Sequence, residues 1–430
     1  MTDHSATRQD SPLPHDASDV FTADSPPLQA GDGIPFALKP LCVLIVVPTL
    51  QAGAADEGAI ELARMLAAAG HRPIVVSRGG RWQDEIAAAG GEFVIRDVAS
   101  KSPFIMLRNA LALARLIRER RCDLVHAYGR APAWSAYFAA RLRGVPFLTT
   151  WTKGFREQNA LKHMYNSVMA RGDRVIAVSD QLADLINDRY GTSFERITVV
   201  PRPVDLLRFD PAGIAPERIA AVRRHWGVEP DTKVVLVVGR MLRRKGHHVV
   251  VQAMHRLKEL GLKNVLCVFI GEDHGHTRYA GELWDLVLST NTTDVIRLAG
   301  PATDLPASYA AATVVVSAAT QPEGLQRSIL EAQAMGRPVI VSDLGAGPEA
   351  VLAPPSFGED RMTGLRVSAG DPAALAAALV RLVSLSDAAQ RSIGARGRSW
   401  VASRFDAAAA AEPLLNVYAE LAGSAGRHRR

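Results

Sequence analysis

The stretch Val314-Val315-Val316-Ser317-Ala318-Ala319-Thr320-Gln321-Pro322-Glu323-Gly324-Leu325-Gln326-Arg327-Ser328-Ile329-Leu330-Glu331 carries the reading of the fold. It opens on three valines with no polar residue between them, the pattern of a short strand buried on both faces of a parallel sheet. A small polar loop holding Pro322 and Gly324 follows. Apolar residues at helical spacing then run to Met335 and stop at Gly336. The expected helix start presents the amides of Leu325, Gln326, Arg327 and Ser328. Such an end attracts anions, because its amides lack intrahelical partners and the helix dipole is positive there. Two carboxylates flank it with seven residues between them, Glu323 in the loop and Glu331 two turns into the helix. Two readings stand side by side: an anion site with carboxylates facing a ligand, or a capped helix with one exposed and one buried glutamate.

Working outward, the same unit recurs. Toward the C-terminus, strand signals stand at 234–238, 265–270, 295–298 and 339–341, with helices at 247–260, 349–352 and 375–385. The last of these is announced by Asp371-Pro372, an N-cap followed by proline in the first turn. Toward the N-terminus, strands stand at 41–47, 73–76, 92–95, 124–126, 147–150, 174–178 and 198–200, with helices at 57–69, 82–89 and 104–119. Pro201-Arg202-Pro203 closes that first series, and a helix at 216–226 precedes the second. Alternating strands and helices imply α/β architecture with parallel sheets covered on both faces. Two such series in 430 residues imply two doubly wound lobes with a ligand cleft beyond the carboxyl ends of their strands. The expected organisation is a disordered tail over 1–38, a first lobe over 39–205 and a second over 206–405. A C-terminal helix over 406–424 returns to the first lobe, and a tail covers 425–430.

Composition agrees with a globular chain: 48% of residues are hydrophobic and 22% charged. The net charge of +6 favours anionic partners or reads as a solvated basic surface. Cys42, Cys122 and Cys267 are far apart in sequence and form no metal-ligand spacing, so they read as reduced core thiols. The first residues lack a basic start followed by an apolar stretch, so no signal peptide is expected. The apolar run at 41–47 is far shorter than the ~20 residues of a bilayer span. No aromatic-and-basic repeat points to nucleic acid.

Other segments then fall into an order. Gly239-Arg240-Met241-Leu242 with Arg243-Arg244-Lys245-Gly246 follows a strand, and Leu50-Gln51-Ala52-Gly53-Ala54-Ala55-Asp56 precedes a helix. Ala177-Val178-Ser179 and Val200-Pro201 stand at the lobe junction; Gly271-Glu272-Asp273, Leu298-Ala299-Gly300 and Asp343-Leu344-Gly345-Ala346-Gly347-Pro348-Glu349 stand in the second lobe. With the Glu323/Glu331 pair, this order resembles the retaining GT-B glycosyltransferases of glycosyltransferase family four, across about residues 41–420. The resemblance implies a GT-B fold of two Rossmann-like lobes. It also implies transfer of a hexose-type sugar from a nucleotide-diphosphate sugar with retention, without metal or other cofactor. In that pattern Arg240 and Lys245 bind and stabilise the leaving diphosphate, Glu323 positions donor-sugar hydroxyls and Glu331 holds the ribose. Gly53 and Ala54 line the phosphates from the first lobe, Leu325, Gln326 and Arg327 supply donor-site amides, and the backbone around Gly300 grips the base. Two cations beyond a strand end would neutralise charge developing on a diphosphate; exposed surface cations are the other reading.

The chain departs from the pattern on the first-lobe side. Where the family carries His-x-His, this chain has His126-Ala127-Tyr128, and where another histidine is usual it has Thr152-Lys153-Gly154. The acceptor side is therefore expected to use His126, Tyr128, Arg130, Lys153 and Arg156, although a histidine inside a strand also reads as a satisfied core residue. Cations beside Trp134 and Phe155 suit a phosphorylated, acidic or glycolipid acceptor. The expectation is a glycan or lipid-linked acceptor in cell-envelope polysaccharide or lipopolysaccharide synthesis. It places the enzyme in the cytoplasm, with its basic first lobe against an anionic membrane face. Two alternatives stay open: a nucleotide-sugar-binding regulatory protein that lost turnover, and an epimerase of the same fold.

Overall fold

The computed structural model describes residues 39–51, 53–155, 159–272 and 277–428, so the expected tail at 1–38 lies outside the described residues. The first sheet contains β1 (Cys42–Val46), β2 (Arg72–Ser77), β3 (Glu92–Ile95), β4 (Leu124–Tyr128), β5 (Phe147–Trp151), β6 (Arg174–Ala177) and β7 (Ile197–Val199), in the order β3-β2-β1-β4-β5-β6-β7. The second contains β8 (Lys233–Val238), β9 (Val265–Ile270), β10 (Ile296–Gly300), β11 (Val314–Ser317), β12 (Val339–Ser342) and β13 (Gly364–Val367), in the order β10-β9-β8-β11-β12-β13. Every ladder is parallel. Burial on both faces explains why β1 reads as an unbroken apolar run and why β11 and β12 do so up to their closing serines. Each fully buried valine, leucine or isoleucine contributes about 1.5–3 kcal/mol against the disorder of the open chain.

Strand order reverses direction between β1 and β4 in one lobe and between β8 and β11 in the other. Ligand crevices in such sheets form at these switch points, beyond the strand carboxyl ends. The chain crosses between lobes twice, and the crossings are joined where Val204 N–H donates to the Phe405 carbonyl at 2.8 Å. After the second crossing, the helix Ala407–His428 packs Leu414, Leu415, Val417, Tyr418 and Leu421 into the core around β1 and the helix Ala54–Ala68.

Several elements differ from the sequence reading. Residues 349–352 form no α-helix; only a 3-10 turn, Pro348–Ala350, stands there. The helix Asp387–Phe405 is not among the expected elements because few of its residues are apolar, yet Gly394 lets it approach so closely that an added Cβ would lie 2.0 Å from the Gly336 carbonyl oxygen. Cys42 and Cys122 meet at 3.5 Å between sulfurs, since β1 and β4 are neighbours. Among the described residues no single helix is long and apolar enough to cross a membrane.

Candidate active site

The site starts at the turn after β8. Gly246 ends the 3-10 turn Arg243–Lys245 with φ 74°, and an added Cβ there would sit 1.7 Å from the Ala318 carbonyl oxygen. Only glycine permits this approach of the basic turn to the loop after β11. The approach delivers Arg244 and Lys245 to Glu323: Lys245 Nζ lies 2.5 Å from Glu323 Oε2, and Arg244 pairs with Oε1. Glu323 is itself held by backbone, its carbonyl accepting from Ala346 N–H at 3.0 Å. Burial and the charges of Arg244 and Arg240 push the Lys245 ammonium down to about 8, while the adjacent carboxylate works in the opposite direction.

The helix after this loop is Arg327–Ala334, two residues shorter at its start than expected. Gln326 is extended at φ −89°, ψ 107°, and its side-chain oxygen accepts from the Ser317 hydroxyl. The open helix end therefore belongs to Arg327 and Ser328 rather than Leu325. Glu331 lies behind it, buried at 8% exposure, accepting from Tyr309 O–H at 2.9 Å with Arg327 Nε at 3.5 Å. Burial raises its pKa, with the Arg327 charge opposing.

A cleft of about 1920 Å³ opens between the lobes. Its lining holds five first-lobe cations (Lys101, Arg130, Lys153, Lys162, Arg189) and four from the second lobe (Arg240, Arg244, Lys245, Arg327); among the described lining residues the sole carboxylate is Glu323. Lys153 is half-buried, and its ammonium is lowered first by burial and then by Arg244, Arg130 and Arg240. Arg130 stacks over Phe155 at 4.6 Å and donates to Asn166 Oδ1 at 2.8 Å. Neither Arg130 nor Lys153 has a carboxylate partner among the described residues.

The structure thus brings Glu323, Arg240, Lys245, Leu325, Gln326, Arg327, Arg130 and Lys153 to one cleft. It does not bring His126 or Tyr128 there, which corrects their expected place on the acceptor side. His126 is fully buried, its Nδ1 2.5 Å from the Tyr418 hydroxyl and its Nε2 2.6 Å from Thr150 Oγ1; burial pushes its pKa down to about 3. Tyr128 stacks on that ring at 5.1 Å and lines a separate cavity of about 40 Å³ with Glu61 and Arg202. Arg156 lies outside the described residues. Gly53 (φ 118°) and Ala54 open the helix Ala54–Ala68, and Gly300 (φ 68°) ends the edge strand β10; none of the three lines the cleft.

The contacts between lobes have no local signal in the sequence. Arg327 Nη1 reaches Glu57 Oε2 at 3.0 Å and Glu61 Oε1 at 3.2 Å, and Arg202 meets the same two carboxylates, each at 2.9 Å. Glu349 of the second lobe accepts from the amides of Asp180 and Gln181, both at 2.8 Å, capping the first-lobe helix Asp180–Tyr190. The i, i+4 spacing of Glu57 and Glu61 signals only a charged helix face, and nothing local announces their partner.

Comparison with known proteins agrees with this architecture. Residues 57–208 match the model of Glycosyltransferase Family 4, and residues 232–385 match that of Glycosyl transferases group 1. The chain is 30% identical over 409 residues to a D-inositol 3-phosphate glycosyltransferase of Kineococcus radiotolerans, covering 86% of this chain and 92% of that one. It superposes on a glycosyltransferase from Rickettsia africae with a TM-score of 0.81 at 30% identity, over 89% of this chain and 98% of that one. It shares the fold of Anabaena HepE, solved in complex with UDP, with a TM-score of 0.75 at 17% identity, over 88% of this chain and all of that one. The chain belongs to glycosyltransferase family 4 and is a transferase of the two-lobed GT-B type.

Proposed function

We propose that this enzyme moves a hexose from a nucleoside-diphosphate sugar to an acceptor that carries an anionic group, with retention at the anomeric carbon. The carrying observation is the charge of the cleft: nine cations from both lobes around a single described carboxylate. Arg240, Arg244 and Lys245 meet the donor diphosphate and stabilise it as it leaves, since cations already held in place need not reorganise as charge develops. The arriving diphosphate takes those cations from Glu323, which then turns to the donor sugar hydroxyls. The glycosidic bond to the diphosphate breaks, a bond to the acceptor oxygen forms on the same face, and the acceptor proton passes to the leaving diphosphate. Arg130 and Lys153 face the acceptor's phosphate or carboxylate, with Phe155 supporting Arg130. A relative named for inositol 3-phosphate and a fold neighbour bound to UDP support both halves of this reading.

A lipid-linked acceptor in envelope glycan synthesis is favoured by one surface feature. Phe104, Leu107 and Leu111 stand exposed on one face of the helix Pro103–Arg120, interleaved with the exposed Arg108 and Arg115. Apolar side chains among cations suit an anionic membrane. Thermal shift with UDP-, GDP- and ADP-sugars tests the donor half, because a bound donor stabilises the native state by mass action. Transfer to inositol 3-phosphate against inositol tests the acceptor half. Stabilisation by one donor class and selectivity for the phosphorylated acceptor are expected. Failure of every nucleotide to stabilise the protein would remove the proposal.

A further inference from the structure

The donor-side helix Arg327–Ala334 does not stand alone. Its first side chain, Arg327, crosses to the first lobe and ends between Glu57 and Glu61 at 3.0 and 3.2 Å. Those glutamates sit on the helix Ala54–Ala68, whose N-terminus carries the Gly53 turn. The same pair binds Arg202 of the inter-lobe crossing Pro201–Pro203 at 2.9 Å each. One small network therefore touches a first-lobe helix, a second-lobe helix and the chain that joins the lobes. Its side chains are between 14 and 36% exposed, so solvent screens it only in part. Arg327 also lies along Glu331, whose other oxygen is taken by Tyr309.

We propose that Arg327 is a positioning residue that fixes the relative placement of the two lobes and the orientation of Glu331, through its simultaneous contacts with Glu57, Glu61 and Glu331. A guanidinium suits this task because its planar fork serves several carboxylates at once, which an ammonium does less well. The network joins the two lobes through charge. Its loss would therefore loosen their registration without unfolding either core. The catalytic consequence rests on the donor-site reading above; the geometric one does not.

The test uses the full chain with Arg327→Met, Arg327→Lys, the pair Glu57→Gln/Glu61→Gln, and the triple combination with Arg327→Met. Small-angle scattering without any ligand should show a larger radius of gyration for Arg327→Met and for the glutamine pair, with Arg327→Lys intermediate. An unchanged scattering profile overturns the inference whatever the donor proves to be. With the donor identified by thermal shift, Arg327→Met should lower kcat by about 10- to 100-fold while KM for the donor moves less than about threefold. The triple variant should add almost nothing to that loss, because all these substitutions break one network. Additive losses, or a fall in melting temperature with kcat intact, would show Arg327 to be merely structural.

Discussion

Glu323 pairs with Arg244 and Lys245, the cations that a donor diphosphate would use, and Glu323→Gln separates these competing partners. Its carboxylate is 8% exposed and pairs through one oxygen each with Lys245 (23%) and Arg244 (36%). Breaking a fully buried pair by removing one partner costs about 3–5 kcal/mol. These cations retain water, so about 2 kcal/mol is the appropriate scale, a melting-temperature drop of about 4–8 °C for a lobe of this size. Anion binding should move in the opposite direction. A carboxylate held about 6 Å from a phosphate charge, at an effective dielectric of about 40, repels it by about 1.4 kcal/mol. Removing that charge should tighten inorganic pyrophosphate and UDP about tenfold or more by titration calorimetry, while sugar transfer falls at least about 100-fold for want of a carboxylate to hold the donor-sugar hydroxyls. The variant would thus be less stable when empty, more responsive to diphosphate, and nearly inactive. Equal or weaker diphosphate binding would refute the reasoning, since Glu323 would then not compete for these cations.

Three further outcomes follow from particular contacts. His126 is held neutral down to about 3, whereas an unfolded histidine charges near 6.5; the unfolded state alone takes up protons between these values, so stability is lost as pH falls, by about 2 kcal/mol at pH 5. Urea titrations at pH 7.5 and 5 check this, and a flat profile contradicts the assignment. Glu349→Ala removes the acceptor of the Asp180 and Gln181 amides, leaving the helix Asp180–Tyr190 with its Ser179 cap alone, and should cost about 1 kcal/mol by chemical denaturation, with loss of amide-exchange protection at Asp180 and Gln181. Vesicles rich in phosphatidylglycerol should sediment the protein in 50 mM salt and release it near 500 mM, and Phe104→Ser with Leu107→Ser should weaken the binding; retention unaffected by salt argues against electrostatic docking.

How much of this was legible in sequence depends on whether the signal was local. Val234 to Val237 and Val314 to Val316 declare themselves because side chains buried on both faces leave no room for polar alternation. The strand Gly364–Val367 did not, being short and carrying a half-exposed arginine, Arg366. Arg130 opens the helix Arg130–Arg143, which is not among the expected helices, with Pro132 in the first turn where proline is tolerated. Lys245 and Glu323 were nominated by ordered motifs. Arg244, which pairs with Glu323 as directly as Lys245 does, was visible only as one more cation in a basic run.

His126 owes its role to partners distant in sequence. It keeps the place of the first histidine of the His-x-His pattern while Tyr128 replaces the second, and the pattern points to an acceptor site because a motif carries an implied location along with its residue types. What decides its role is instead a pair of partners, Thr150 on the neighbouring strand and Tyr418, 292 positions away on the returning helix. A neutral imidazole can satisfy both hydroxyls at once, donating from one nitrogen and accepting at the other. Two such bonds in a fully buried position make it a fastener between the C-terminal helix and the first lobe rather than a group poised for a substrate. Arg327 presents the same problem in reverse. It sits inside the motif that resembles a donor site, and its partners Glu57 and Glu61 lie 270 and 266 positions earlier, where i, i+4 glutamates read as an ordinary solvated face. Periodicity encodes whether a side chain is buried, but not what it meets. Long-range polar pairing therefore had to come from the fold, and in this protein it joins the two lobes.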